Sequence, residues 1–203
     1  MSTNRLVRSV VAPRDAEATR RRILDAALAE FATHGLAGAR VDRIAVTAKA
    51  NKQLIYAYYG NKDQLFDTVV EHAFQHAHDA VPFTPDDLVS YAATLFDYLV
   101  EHPDHLRIHE WRRLERPGAT ELERQLFNEK VDDLAEVQPN YGKKGRFSPA
   151  DVMVIVVALA SAWALAPAAL RDLATHDPKQ QRSLIAGSIH VLTHYRQDSD
   201  TAR

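Results

Sequence analysis

Residues 41–66 read VDRIAVTAKANKQLIYAYYGNKDQLF, and the spacing of the apolar residues in this stretch decides the fold. Val41, Ile44, Ala45 and Ala48 share one side of a helix over about Val41–Ala48. Ile55 and Tyr59 share one side of a second helix, over about Lys52–Tyr58. Only residues 49–51 separate the two, and Asn51 is placed to cap the second helix by accepting from its first free backbone N–H groups. Two short helices joined by so tight a turn have the form of a helix-turn-helix unit, whose second helix enters a DNA major groove, although periodicity alone favours a plain helical hairpin with a solvated polar face. Asn61, with Gln64 three residues on, opens a longer helix carrying Leu65, Phe66, Val69, Val70 and Ala73.

Outward from this unit the pattern stays helical. Upstream, Ile23, Leu24, Ala27, Leu28 and Phe31 recur at three and four residues, and Gly35 stands where a C-terminal cap belongs. Downstream, Thr84-Pro85-Asp86-Asp87, Ser148-Pro149-Ala150-Asp151 and Asp177-Pro178-Lys179-Gln180 each place a capping side chain before a proline at the first helical position. Thr120 and Glu123 form a capping box after the Pro117-Gly118 break, and Pro103 opens another helix. The expected fold is all-α with nine helices. It divides into an N-terminal arm (1–13), a three-helix DNA-binding head (14–62) and a helical body (63–203), with Tyr141–Arg146 read as a polar loop.

Composition narrows the function. Of 203 residues, 46% are hydrophobic and 26% charged, the balance of an ordinary folded protein. The absence of cysteine removes disulfides, thiolate metal sites and Cys nucleophiles together. A net charge of −2 hides an uneven distribution: residues 1–62 carry 11 Lys/Arg against 5 Asp/Glu, a basic front on an acidic remainder. No apolar leader follows Arg5 and Arg8, so the expected compartment is the cytoplasm. Val152–Leu170 is nearly charge-free, but it is rich in Ala and interrupted by Pro167, which suits a helix between a core and a partner subunit better than a membrane span. Glycine-rich phosphate loops, nucleophile elbows and ordered carboxylate pairs are all missing, so catalysis is not expected.

Ten histidines include three i,i+4 pairs, His72/His76, His105/His109 and His190/His194. That spacing puts two rings on one helical face, but two ligands make half a metal site. They are read as solvated or hydrogen-bonded side chains, with no metal and no cofactor expected.

The second helix of the motif, with its flanks, carries the recognition chemistry. Lys52 and Gln53 can read base edges, Leu54 and Ala57 can touch a thymine methyl, and tyrosine hydroxyls can bond phosphates. Lys62 adds a positive charge near the same surface. Phe31-Ala32-Thr33-His34-Gly35, Ile44-Ala45 and Ile55–Phe66 together resemble the DNA-binding domain of the tetracycline-repressor (TetR) family over residues 20–68. The resemblance implies DNA contacts at Lys52, Gln53, Leu54, Tyr56, Ala57, Tyr58 and Lys62, with Tyr56 and Lys62 on phosphates and Lys52, Gln53 and Leu54 towards bases. Arg40 replaces the family's capping Ser/Thr and offers a further phosphate-seeking cation. Lys49 stands where the family has glycine, and Tyr59, in place of Phe, needs a partner for its hydroxyl.

The same resemblance implies a homodimer on a pseudo-palindromic double-stranded operator, released by a small-molecule effector. Its interface would lie on helices at about Pro149–Ala174 and Pro178–Tyr195, through Val152, Val156, Trp163, Leu184, Ile185, Ile189 and Leu192. Its effector pocket would be walled by Phe74, Tyr91, Phe96, Trp111, Phe127 and Trp163.

Overall fold

The computed structural model describes residues 13–137 and 147–194. Residues 1–12 of the expected arm and the Tyr141–Arg146 loop lie outside the described residues. Among the described residues there are ten helices and no strand: α1 (Pro13–Gly38), α2 (Val41–Thr47), α3 (Lys52–Tyr59), α4 (Lys62–Ala80), α5 (Leu88–Glu101), α6 (Pro103–Glu115), α7 (Glu121–Val137), α8 (Pro149–Leu165), α9 (Ala168–Leu173) and α10 (Pro178–His194).

The expected count of nine is corrected by Pro167. A continuous helix over about 149–174 would need an N–H that Pro167 lacks, and the residue before a proline is driven out of the helical region. Ala166 accordingly turns extended (φ −63°, ψ 148°), α8 ends at Leu165, and α9 restarts as a separate six-residue turn. Among the described residues no helix is long and apolar enough to cross a membrane.

Most helix starts are the expected ones. Ser148 and Asp151 form a reciprocal capping box with Pro149 in the first turn, and Thr120 and Glu123 do the same before α7. Asn61 and Gln64 exchange side chain and backbone at the head of α4. At α5 the cap is Asp87, whose carboxylate accepts from Ser90 N at 2.9 Å, rather than Thr84; residues 84–87 form a turn in front of the helix.

The chain forms two compact units. The first takes in residues up to His72 together with Arg107–Pro117; the second takes in Ala73–Leu106 and Gly118 onward. The division expected at residue 62 falls at the start of α4, whereas compactness changes inside that helix, and the tail of α6 joins the first unit. The first unit's core is Ile23, Ala27, Phe31, Ile44, Ala48, Ile55, Leu65 and Phe66, all buried. Phe31 and Phe66 meet edge to face at 5.1 Å.

In the second unit α5 packs on α8 and α10. Tyr91, Ala92, Phe96, Leu134, Val152, Val156, Ala160, Ile185 and Ile189 fill the space between these helices and α7. Four residues expected at a dimer interface, Val152, Val156, Ile185 and Ile189, are therefore core of their own subunit. Burial in one chain leaves them no surface to offer another. The large apolar residues that α8 and α10 do expose lie on the faces turned away from this core: Val154 and Leu165 on α8, Leu184 and Val191 on α10. Of the expected set, Leu184 alone is exposed.

Candidate nucleic-acid interface

α2 and α3 form the expected helix-turn-helix. Lys49 in the turn adopts φ 52°, and it is the one described non-glycine residue with positive φ. A side chain there carries a steric cost that glycine would not. The strain is held by hydrogen bonds on both sides, Lys49 N to Val46 O and Ala50 N to Ala45 O. Arg22 of α1 donates to the Ala48 carbonyl at 3.2 Å and so closes the end of α2. Asn51 accepts from Leu54 N at 2.7 Å and starts α3.

The orientation of α3 follows from two anchors. Ile55 is buried, and the Tyr59 hydroxyl donates to the Arg20 carbonyl at 3.0 Å, the partner its position required. Burial pushes the Tyr59 phenol above its ordinary range. With these side chains turned inward, Lys52, Gln53, Tyr56 and Ala57 form a contiguous exposed face at i, i+1, i+4 and i+5. Leu54 is half-buried at its edge. Tyr58 turns towards α1, where the Arg20 guanidinium stacks on its ring at 4.9 Å.

Charge is arranged around this face. Lys52 pairs with Asp42 at 3.1 Å, and the hydrogen bond and charge of that carboxylate raise the Lys52 ammonium above its ordinary range. Lys62 donates to the Ala39 carbonyl at 3.3 Å, which fixes its ammonium beside the start of α2. Arg40 is exposed at that start and makes no side-chain cap. The capping task passes to Glu30, which accepts from Arg40 N at 2.8 Å and from Arg43 Nε at 2.8 Å. Burial works to raise the Glu30 carboxyl, but these bonds outweigh it and hold the group below its ordinary range. Glu30 therefore buttresses the head as an anion, leaving Arg40, Lys52 and Lys62 as the cations around the α3 face.

The tail of α6 supplies support that was not legible in the sequence. Trp111 Nε1 donates to the Ala32 carbonyl at 3.1 Å. Glu115 accepts from Leu36 N at 2.6 Å and Ala37 N at 3.3 Å, two donors freed by the break at Gly35. Arg116, the residue after α6, binds Asp67 at 2.8 Å and also Asp63. Trp111 thus belongs to the first unit, against α1, and is not grouped with the other expected pocket residues. Nothing local in the sequence around 109–116 marks its use as a clamp.

The other expected pocket residues divide into two groups of the second unit. Phe96 and Trp163 meet at 6.4 Å and line a cavity of about 260 Å³ with Leu99, Val100, Arg171 and His176. Phe74 and Phe127 pair at 5.7 Å elsewhere. Near the latter pair, Lys130 donates to the Tyr91 hydroxyl at 3.0 Å. Two of the paired histidines share a single tyrosine hydroxyl. His76 and His105 both bond the Tyr98 hydroxyl through Nδ1, with His102 against the same rings. Among the described residues no group of histidines and carboxylates is placed to hold a metal ion. The side chain of His194 lies outside the described residues.

A helix-turn-helix with an exposed recognition face, carried on described residues that are otherwise helical, defines a DNA-binding regulator. Comparison with known proteins gives the family. Residues 23–69 match the family model described as bacterial regulatory proteins, tetR family, and residues 87–189 match the tetracyclin repressor-like C-terminal domain. The chain is 41% identical over 181 residues to the HTH-type transcriptional repressor SCO4008 of Streptomyces coelicolor, covering 87% of this chain and 88% of that one. It is 34% identical over 105 residues to the HTH-type transcriptional repressor NicS of Pseudomonas putida, covering 48% of this chain and 50% of that one. The crystal structure of SCO4942 from Streptomyces coelicolor superposes with a TM-score of 0.75 at 37% identity, over 85% of this chain and 96% of that chain. The chain belongs to the TetR family of DNA-binding transcriptional regulators and is not an enzyme.

Proposed function

We propose that the protein is a cytoplasmic homodimeric repressor that holds a pseudo-palindromic operator through two copies of the α3 face and leaves it when a small molecule binds the body. The observation that carries this reading is the contiguous exposed set Lys52, Gln53, Tyr56 and Ala57, flanked by Arg40 and by Lys62 on its carbonyl rest. Gln53 and Lys52 have the donors for base edges, and Tyr56, Arg40 and Lys62 have those for phosphates. Tyr58, packed under Arg20, acts by positioning α3. The repressor names of the SCO4008 and NicS relatives support the sign of regulation.

The domain roles follow. Residues 14–62, with the α6 tail as a brace, form the DNA head; the remainder of 63–203 carries dimerisation and effector binding. The exposed faces of α8 and α10, with Val154, Leu165, Leu184 and Val191, are the dimer surface, in place of the buried residues on the opposite faces.

The test is a fluorescence-anisotropy titration of the full-length protein against the DNA flanking its own gene, at two salt concentrations and with excess random-sequence competitor. Binding that survives competitor at two subunits per site is expected. Binding that competitor abolishes would point to a non-specific architectural protein, and no binding at either salt would overturn the reading of α3.

A further inference from the structure

The interior of the second unit holds a polar group that folding alone does not account for. Lys130 is 9% exposed, and among the described residues it lies amid aromatic rings, with no ion pair to a carboxylate. Its Nζ stands 5.3 Å from the centre of the Tyr91 ring and 5.9 Å from those of Phe83 and Phe127. The Tyr91 hydroxyl, at 3.0 Å, accepts one of the three N–H bonds an ammonium can donate. Burial drives the Lys130 pKa down and the Tyr91 phenol up to about 12, so Tyr91 stays neutral and supplies no counter-charge. Lysine is almost never buried without a paired anion, because desolvating the ammonium is costly.

A second unsatisfied group lies on a neighbouring helix. Phe74, Ala77, His78 and Val81 recur at i, i+3, i+4 and i+7 on one stripe of α4 and of the turn after it. Ala77 and Val81 from this stripe pack into the core, and Phe74 meets Phe127. His78 shares the stripe, and its Nδ1 is buried with no hydrogen-bond partner. An unpaired imidazole nitrogen thus shares the α4 stripe of Phe74, whose ring meets Phe127, one of the rings around the Lys130 ammonium. Unsatisfied buried polar groups of this kind are costly to keep unless something else satisfies them. Phe74, Phe83 and Phe127 are only half-buried, so the walls have an edge open to the surface.

We infer that Lys130, Tyr91 and the rings of Phe74, Phe83 and Phe127 form the binding site for a small aromatic monocarboxylate. Its carboxylate takes the free N–H groups of Lys130, its ring lies among the phenylalanines, and His78 Nδ1 pairs with a polar substituent. The inference rests on the ligand-responsive reading above and gives its effector a chemical class. The carboxylate supplies a counter-charge that Lys130 lacks among the described residues, and the flat walls select an aromatic ring.

The test uses the full-length protein without DNA, so that it stands apart from operator binding. Calorimetric titration with benzoate, 4-hydroxybenzoate, benzamide and phenyltrimethylammonium compares anion, hydroxylated anion, neutral isostere and cation on one ring. The carboxylates are expected to bind at least tenfold more tightly than benzamide, and the cation not at all. Lys130→Met should abolish carboxylate binding and Lys130→Arg should retain part of it. Tyr91→Phe, which removes one oxygen, should weaken binding severalfold with the helical circular dichroism unchanged. No carboxylate binding, equal binding of the amide, preference for the cation, or undiminished binding by a folded Lys130→Met protein would each overturn the inference. Operator release by the same carboxylates is then read separately by anisotropy. Binding without release would sink the ligand-responsive reading and leave the site standing.

Discussion

At the residue scale, Gly35 and Lys130 show how a single position can be fixed by its surroundings. Gly35 adopts φ 66°, and a Cβ built on it would lie 2.7 Å from the Trp111 ring. Backbone conformation and close approach both demand glycine, and the ring that approaches is one whose indole N–H holds α1. Gly35→Ala is therefore expected to destabilise the fold by about 2–3 kcal/mol, combining a left-handed alanine with a displaced Trp111. Urea unfolding measures it, and a loss under about 0.5 kcal/mol would mean that neither constraint operates. Lys130 makes a prediction in pH. Its folded-state pKa is depressed by burial, so the folded protein binds fewer protons than the unfolded chain as pH climbs from the folded to the unfolded pKa. The penalty of the buried ammonium is full below the folded pKa and is relieved as pH rises through it. The melting temperature of the wild type should gain on that of Lys130→Met in the alkaline range, and parallel curves would show that the ammonium is adequately solvated.

At the scale of elements, legibility tracks how local the determinant is. The helix-turn-helix could be read residue by residue, because caps at Asn51 and Asn61 and the stripe Val41, Ile44, Ala45 and Ala48 act within a few positions. The exposed α3 face followed from the same periodicity, once Ile55 and Tyr59 were assigned to the core. The faces of α8 were not legible in this way. Its sequence is apolar nearly all round, so periodicity could not say whether Val152 and Val156 or Val154 and Leu165 turned inward. The role of α6 was hidden for another reason: Trp111, Glu115 and Arg116 act on Ala32, Leu36 and Asp67, dozens of positions away in the chain. The division of labour within the head is open to measurement. Lys62→Ala removes a phosphate-directed cation, so it should weaken binding to every DNA sequence alike and lower the slope of log affinity against log salt by about one. Gln53→Ala should change which sequence is preferred, costing about 1–3 kcal/mol at one base position. If Lys62→Ala altered sequence preference at constant salt slope, the two roles would have to be exchanged.

At the scale of the whole molecule, one α3 face is a small contact, and operator recognition by this motif calls for two heads about one helical turn, ~34–36 Å, apart. In the proposed homodimer, two-fold symmetry makes every interface substitution count twice, since each residue on the shared surface has its copy opposite or nearby. α10 allows a controlled comparison between its two faces. Ile189 is fully buried in the core of its own chain, whereas Val191, two residues on, is 64% exposed on the stripe with Leu184. Ile189→Glu puts an unpaired carboxylate into the core and should unfold the body or lower its melting temperature sharply. Val191→Glu should leave the isolated subunit folded, with its helical circular dichroism intact, and place two carboxylates in one dimer interface. Sedimentation equilibrium should then report a dimer for the wild type and a monomer for Val191→Glu at the same concentration. Operator affinity should fall with it, because the second head is no longer delivered alongside the first. A Val191→Glu protein that remained a dimer with wild-type affinity would move the interface away from the exposed faces of α8 and α10. A Val191→Glu protein that unfolded like Ile189→Glu would show that the two faces of α10 are not separable in the way their burial implies.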